Sequence, residues 1–284
     1  LLSFGLLPLF FMTACQFGDQ TRLNAEGSAK ESGVQRSGSS CSACVITSDA
    51  QWNDFVSGEL ANCGQNTGNS RTLECGLKLT GSLRCESGCA DFGNKVSIQI
   101  MQPNPDEDFP VLLHIDGSAL DSTGFEHVTK NMKTIAGGVL IENNDALTSI
   151  EGLAFQPLRE MGPGDFDFVI QNNQALSSID LKLAYRQSIA ATRFEIRENP
   201  ALSTVSVQMA NGGEYAGVRF LQNLIVKDNG SLTNLNFPQL QGSVGDDDYA
   251  VINISDNTNL ETLHIGSGAT SLSVRADVKE LVIS

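Results

Sequence analysis

Ile141-Glu142-Asn143-Asn144-Asp145-Ala146-Leu147-Thr148-Ser149-Ile150 is the stretch that decides the fold of this chain. Its frame is an aliphatic residue followed at three-residue steps by asparagine, leucine and a second aliphatic residue. The frame returns as Ile170, Asn173, Leu176 and Ile179, and as Ile196, Asn199, Leu202 and Val205. Two further copies are Val226, Asn229, Leu232 and Leu235, and Ile254, Asn257, Leu260 and Leu263. The asparagines lie 29, 26, 30 and 28 residues apart (144, 173, 199, 229, 257). A period of this size marks a stacked solenoid. Such a fold exposes a broad surface rather than a cleft, so the pattern points towards binding.

The frame has a direct physical reading. Val139 and Ile141 are two apart and leave a strand on the same side. Phe168 and Ile170, Phe194 and Ile196, Leu224 and Val226, and Ile252 and Ile254 repeat the arrangement. These pairs are expected to stack inward, coil on coil, at ~4.8 Å per step, so that the repeats span roughly 19 Å. The asparagine falls where the backbone must turn. Its amide carries both donors and an acceptor and can satisfy backbone groups inside the bend. Asn144, Asn173, Asn199, Asn229 and Asn257 are therefore expected to form a buried structural ladder.

The run resembles the leucine-rich repeat signature Leu-x-Leu-x-x-Asn and, more closely, the receptor L-domain type, whose coils carry an Asn-x-x-Leu turn. Residues 140–284 carry the resemblance well and residues 41–139 loosely. It implies an all-β, right-handed β-helical solenoid, receptor L-domain-like and leucine-rich-repeat-related. Unequal loop lengths and the lack of a helix-rich convex side favour the L-domain style. Fold resemblance alone does not name a ligand.

Between the inward pairs lie Leu140, Val169, Glu195, Ile225 and Asn253. This partly apolar row is a possible binding face for a protein or glycan; it equally suits strands sheltered by a loop. The flanking row, Glu142, Gln171, Arg197, Lys227 and Ser255, is polar and mixed in charge.

Ahead of the repeats lies a cysteine module. Cys41, Cys44, Cys63, Cys75, Cys85 and Cys89 are an even set, and sequence cannot choose among their fifteen pairings. Disulfides stapling an N-terminal cap are the favoured reading. The alternatives are zinc on Cys41, Cys44, Cys85 and Cys89, or a redox pair of Cys41 and Cys44. Ser48 to Val56 reads as a short capped helix with Trp52, Phe55 and Val56 on one face, able to close the open end of the stack. Leu77-Lys78-Leu79 and Val96 to Ile100 are β-like and read as irregular early coils; residues 102–108 read as a loop. Leu112 to Ile115 with Leu120 reads as a worn repeat lacking the asparagine.

The first fourteen residues, LLSFGLLPLFFMTA, are too short to span a bilayer and fit the apolar region of a signal peptide. Met12-Thr13-Ala14-Cys15 resembles a bacterial lipoprotein cleavage box. The resemblance implies lipidation of Cys15 and, since Gln16 is not Asp, the outer membrane. An ordinary secretion signal is the alternative. Residues 15–40, rich in Gly, Ser, Gln and Glu, read as a flexible tether. The expected organisation is thus signal peptide 1–14, tether 15–40, cysteine-rich cap and first coils 41–110, and repeat solenoid 111–284. The terminal strand Leu281-Val282-Ile283 is a possible edge for self-association.

Lys and Arg total 18 against 33 Asp and Glu, for a net charge of -15. Such a surface repels phosphate backbones and argues against nucleic-acid binding. His114, His127 and His264 are far apart and lack a metal-binding spacing. No nucleophile elbow, P-loop or dinucleotide fingerprint is present, so no cofactor and no enzyme activity are expected. Asp246, Asp247 and Asp248 read as a solvated loop, with a calcium site as the alternative. A β-helical carbohydrate-active enzyme would need a facing carboxylate pair; Asp165 and Asp167 are a second acidic pair. Asn229-Gly230-Ser231 matches a glycosylation acceptor, which an inward asparagine cannot be. The sequence thus reads as a surface binding or adhesion module, with a structural envelope role as the rival.

Overall fold

The computed structural model of the chain describes residues 43–60, 63–67, 70–73, 75–92, 97–100, 111–135, 137–151, 167–183, 188–209, 217–237, 240–242, 250–265, 272–276 and 280–283. All belong to one compact unit, Cys41–Ser284. It is a parallel β-solenoid built on a ten-stranded, a six-stranded and a four-stranded sheet. Among the described residues, the only antiparallel pairing joins Gln65–Thr67 to Ser70–Leu73.

The ten-stranded sheet, hereafter the long sheet, sets the register. Its strands follow chain order from Cys44–Ile46 through Leu77–Thr80, Val111–Asp116, Gly138–Glu142 and Asp167–Gln171. It continues through Ser188–Arg197, Gly217–Lys227 and Ala250–Ser255 to Leu272–Ala276, and the tenth strand, Leu240–Gly242, pairs off this path with Gly217–Lys227. Alternation in each strand sends every second residue inward. Val139, Phe168, Phe194, Leu224 and Ile252 are Cα partners in series, and so are Ile141, Ile170, Ile196, Val226 and Ile254. All ten are buried. Phe168 and Phe194 stack with their ring centroids 4.9 Å apart.

The six-stranded sheet supplies the facing wall. Ile150, Ile179, Val205, Leu235 and Leu263 stand opposite one another along it and are buried. Leu147, Leu176, Leu202, Leu232 and Leu260, three residues before each of these, are buried as well and close the core at the bend. Burying an aliphatic side chain of this size stabilises a fold by roughly 1.5–3 kcal/mol. Stacking like on like therefore makes each coil depend on its neighbours.

Two helices take the place of that wall in the early coils. Helix α1, Asp49–Ser57, starts at Ser48, whose side chain accepts from the Gln51 N–H, and stops at Gly58 with φ 89°. Trp52 and Phe55 face the core. Phe55 also carries the buried Arg71 guanidinium over its ring, 4.6 Å from the centroid. Burial pushes the Arg71 pKa below the ordinary guanidinium value. Helix α2, Ser122–Thr129, is capped by Asp121, whose Oδ1 accepts from the Gly124 N–H at 2.8 Å. It buries Phe125 and Val128. Ser122 Oγ accepts from the Ser149 N–H at 2.7 Å and so seats the helix beside the first strand of the six-stranded sheet. No helix among the described residues is long and apolar enough to cross a membrane.

Disulfides join Cys44 to Cys63 and Cys85 to Cys89. Cys75 is disulfide-bonded as well. With Cys44, Cys85 and Cys89 oxidised, neither the zinc set nor the Cys41–Cys44 redox pair has its thiolates.

Candidate binding face on the long sheet

The turn after each long-sheet strand determines what the outer face presents. Asn143, Asn172, Glu198, Asp228 and Asp256 all adopt φ between 55° and 57°. Each directly precedes one of the repeated asparagines. This left-handed residue reverses the chain so that the next amide side chain turns inward. Gly81 at φ 70° and Gly117 at φ 57° hold the same place in the two preceding coils, followed by Ser82 and Ser118. In the first coil the corresponding residue is Ser48, the cap of α1.

Asn144, Asn173, Asn199 and Asn229 are fully buried, and Asn257 is 6% exposed. Each of the first four donates through both its N–H and its Nδ2 to Oδ1 of the next asparagine, at 3.0–3.2 Å. Each Nδ2 also donates to the carbonyl two residues earlier and to a carbonyl of the preceding coil, as Asn199 does to Arg197 and Ile170. The series is headed by Ser118, which donates to Asn144 Oδ1 from its N–H at 3.0 Å and its Oγ at 2.6 Å. The worn repeat thus keeps the ladder with a hydroxyl in place of the amide. Asn229 has no surface on which to carry sugar.

With the bends fixed, the remaining side chains of each strand form rows on the outer face. Leu140, Val169, Glu195, Ile225 and Asn253 are consecutive partners across the long sheet. The row is not an open apolar strip. Val169 and Glu195 are buried at 7% and 6% exposure, while Leu140, Ile225 and Asn253 are half-buried. The same row extends back to His114, Lys78 and Val45.

Together with the polar members of the first row, the flanking row forms a linked polar chain. Lys78 Nζ lies 3.1 Å from Asp116 Oδ2. His114 Nε2 lies 3.8 Å from that oxygen and 3.0 Å from Glu142 Oε1. Gln171 Nε2 donates to Glu142 Oε2 at 2.6 Å, and Gln171 Oε1 accepts from Arg197 Nε at 2.9 Å. Arg197 Nε also reaches Glu195 at 3.0 Å, and Arg193 reaches Glu195 at 3.4 Å and Asp167 at 2.6 Å. The chain crosses five adjacent strands.

The electrostatics follow the same contacts. Burial alone would raise the Asp116 carboxyl, but hydrogen bonds from Asn143 and Lys78 and the charges of His114 and Lys78 hold it below the usual carboxylate value. Burial alone would lower Arg193, but the hydrogen bond and charge of Asp167 and the charge of Glu195 hold it above the usual guanidinium value. A polar face whose side chains fix one another is preorganised, and recognition then spends little entropy on ordering it.

Spacing along the chain does not reveal His114, Asp116 and Glu142 as a group, yet the fold gathers their donor atoms within 4.8 Å of one another. The available signal is the register. Aligning Ile115 with Ile141 sets Asp116 beside Glu142. His127 and His264 lie elsewhere; His127 Nε2 is 3.2 Å from the Ala90 carbonyl, beneath Trp52. Asp167 is held by Arg193, whereas Cys15, Cys41, Asp165, Asp246, Asp247 and Asp248 lie outside the described residues. Comparison of the chain with family models, curated proteins and solved structures gave no match.

Proposed function

We propose that this chain is a surface-binding module of the cell envelope that meets a protein or glycan through the outer face of its long sheet. The observation carrying the reading is the linked polar chain from Lys78 to Asp167, which offers fixed donors and acceptors at the strand pitch rather than a closed cleft. Hydroxyl-rich sugars and extended peptide segments are the ligands that such an array suits. The Asn-x-x-Leu turns resemble those of receptor L-domains and support the same reading. It assigns the chain recognition rather than catalysis.

The N-terminal segment supplies the location in this reading. Lipidation at Cys15 would hold the module at the outer membrane, and residues 16–40 would lift it from the lipid surface.

A glycan and protein array probed with the labelled chain in calcium-containing buffer tests the binding claim. We expect a ligand whose retention is lost in the Gln171→Ala/Arg197→Ala variant. An array without a ligand, or one whose ligand ignores that variant, overturns the assignment. Mass spectrometry of the mature N-terminus tests the anchor: acyl groups on Cys15 are expected, and an unmodified or differently cleaved N-terminus removes it.

A further inference from the structure

We propose that His114, Asp116 and Glu142 form a binding site for a divalent transition-metal ion of the zinc type. His114 and Asp116 are two apart on the strand Val111–Asp116, so both point to the outer face. Glu142 is the Cα partner of Asp116 on the next strand. Two paired strands of a parallel sheet thus hold all three side chains, and no loop contributes a ligand.

The donor spacing fits a small ion. Bonds of about 2.0–2.2 Å in a tetrahedral site leave neighbouring donors about 3.3–3.6 Å apart. Here His114 Nε2 is 3.0 Å from Glu142 Oε1 and 3.8 Å from Asp116 Oδ2. All three donors lie within 4.8 Å of one another. Closing on an ion requires only small adjustments of partly exposed side chains.

The surroundings divide the carboxylate oxygens. Asn143 Nδ2 donates to Asp116 Oδ1 at 3.0 Å, and Gln171 Nε2 donates to Glu142 Oε2 at 2.6 Å. One oxygen of each carboxylate is therefore fixed from outside, and the other is turned towards the imidazole. Amide donors that orient a ligand carboxylate in this way are typical outer partners of a metal site. A ligating imidazole is neutral, so with the two carboxylates the set carries charge -2, which a divalent ion neutralises. Imidazole also favours zinc, copper, iron or nickel over the hard cations that choose all-oxygen sites. Three protein donors leave a coordination position for water or for a donor from a partner.

Lys78 is the resident competitor. Its ammonium lies 3.1 Å from Asp116 Oδ2, with its side chain 29% exposed. An entering ion would take that oxygen and release Lys78 to solvent. Removing this positive charge must therefore tighten the site.

Titration calorimetry of the chain with ZnCl2 tests it, with Co2+ absorption as an independent report of coordination. One Zn2+ per chain is expected at this site. His114→Ala and Glu142→Gln should each weaken binding at least tenfold, and Lys78→Met should tighten it severalfold. Circular dichroism melts identify any variant that has lost its fold; Glu142→Gln, isosteric and on the outer face, is the reference if His114→Ala does so. A wild-type chain that takes up no Zn2+, equal affinity in wild type and Glu142→Gln, or no tightening in Lys78→Met overturns the site.

Discussion

Asn199 Oδ1 accepts two hydrogen bonds from Asn173, one from its N–H at 3.0 Å and one from its Nδ2 at 3.1 Å. One side-chain oxygen thus serves a backbone group and a side chain of the neighbouring coil. The same amide donates to Asn229 Oδ1 and to the Ile170 and Arg197 carbonyls. Replacing Asn199 by Leu strands these groups in a dry interior, where an unmade hydrogen bond costs about 1–3 kcal/mol. Arg197→Leu is the comparison. Arg197 is partly exposed, its side chain at 38%, and Arg193 continues to face Glu195, so its loss should stay within about 1 kcal/mol. Thermal denaturation should place Asn199→Leu well below Arg197→Leu. Equal midpoints would mean that the ladder contributes little beyond occupying space.

Glu198 is the odd member of the left-handed series. At φ 56° it occupies the place that Asn143, Asn172, Asp228 and Asp256 fill elsewhere. The left-handed conformation costs an ordinary L-residue roughly 1–2 kcal/mol, and Asn and Asp less. Glu198 also reaches Arg197 at 3.1 Å, an exposed pair worth little. Glu198→Asn should raise the melting midpoint through a gain of up to about 1 kcal/mol. Asp228→Glu should lower it correspondingly. A fall in the first variant would show that the Arg197 contact outweighs backbone strain.

These examples show what kinds of information the sequence carries openly. Asn199 and its counterparts are legible because each coil must solve the same bend with the same chemistry. The inward pairs are legible because a two-residue alternation repeats with them. The helix Asp49–Ser57 announces itself by Ser48 before it and by Trp52 and Phe55 within it. Ser122–Thr129 does not: its glycine and its Ser and Thr residues are poor helix formers, and its cap and packing impose the helix. Arg71 is illegible for a related reason, since only the fold brings Phe55 over its guanidinium. The group His114, Asp116 and Glu142 is hidden because parallel register, not proximity in the chain, assembles it.

Gly124 tests how closely α2 is seated. A Cβ at this position would stand 1.8 Å from the Arg84 carbonyl oxygen, a backbone atom that cannot swing aside. Gly124→Ala therefore forces the helix away from residues 83–90 despite alanine's better helix propensity. Overpacking of this kind costs about 1–3 kcal/mol, and a backbone clash belongs at the upper end. Thr123→Ala, at the exposed neighbouring position, should change stability by no more than about 0.5 kcal/mol. Denaturant unfolding of the two variants distinguishes them. A neutral Gly124→Ala would mean that the helix and the Arg84 segment part without penalty.

Asp116 makes the outer face sensitive to acid. Its folded pKa lies below the ordinary value of 3.8 because the contacts with Asn143, Lys78 and His114 outweigh burial. The unfolded chain therefore takes up this proton first as pH falls. The contribution of Asp116 is fully present above its unfolded pKa and is lost as pH drops through the lower, folded value. Above about pH 5, wild type should be more stable than Asp116→Asn. That advantage should shrink below about pH 4, where the carboxyl gains its proton first in the unfolded chain and then, at lower pH, in the folded one. Denaturant unfolding of both chains from about pH 5 down to about pH 2, with a chelator present, isolates this one group from the other carboxylates. A stability difference that stays constant as pH falls would show that Asp116 contributes through shape and not through charge.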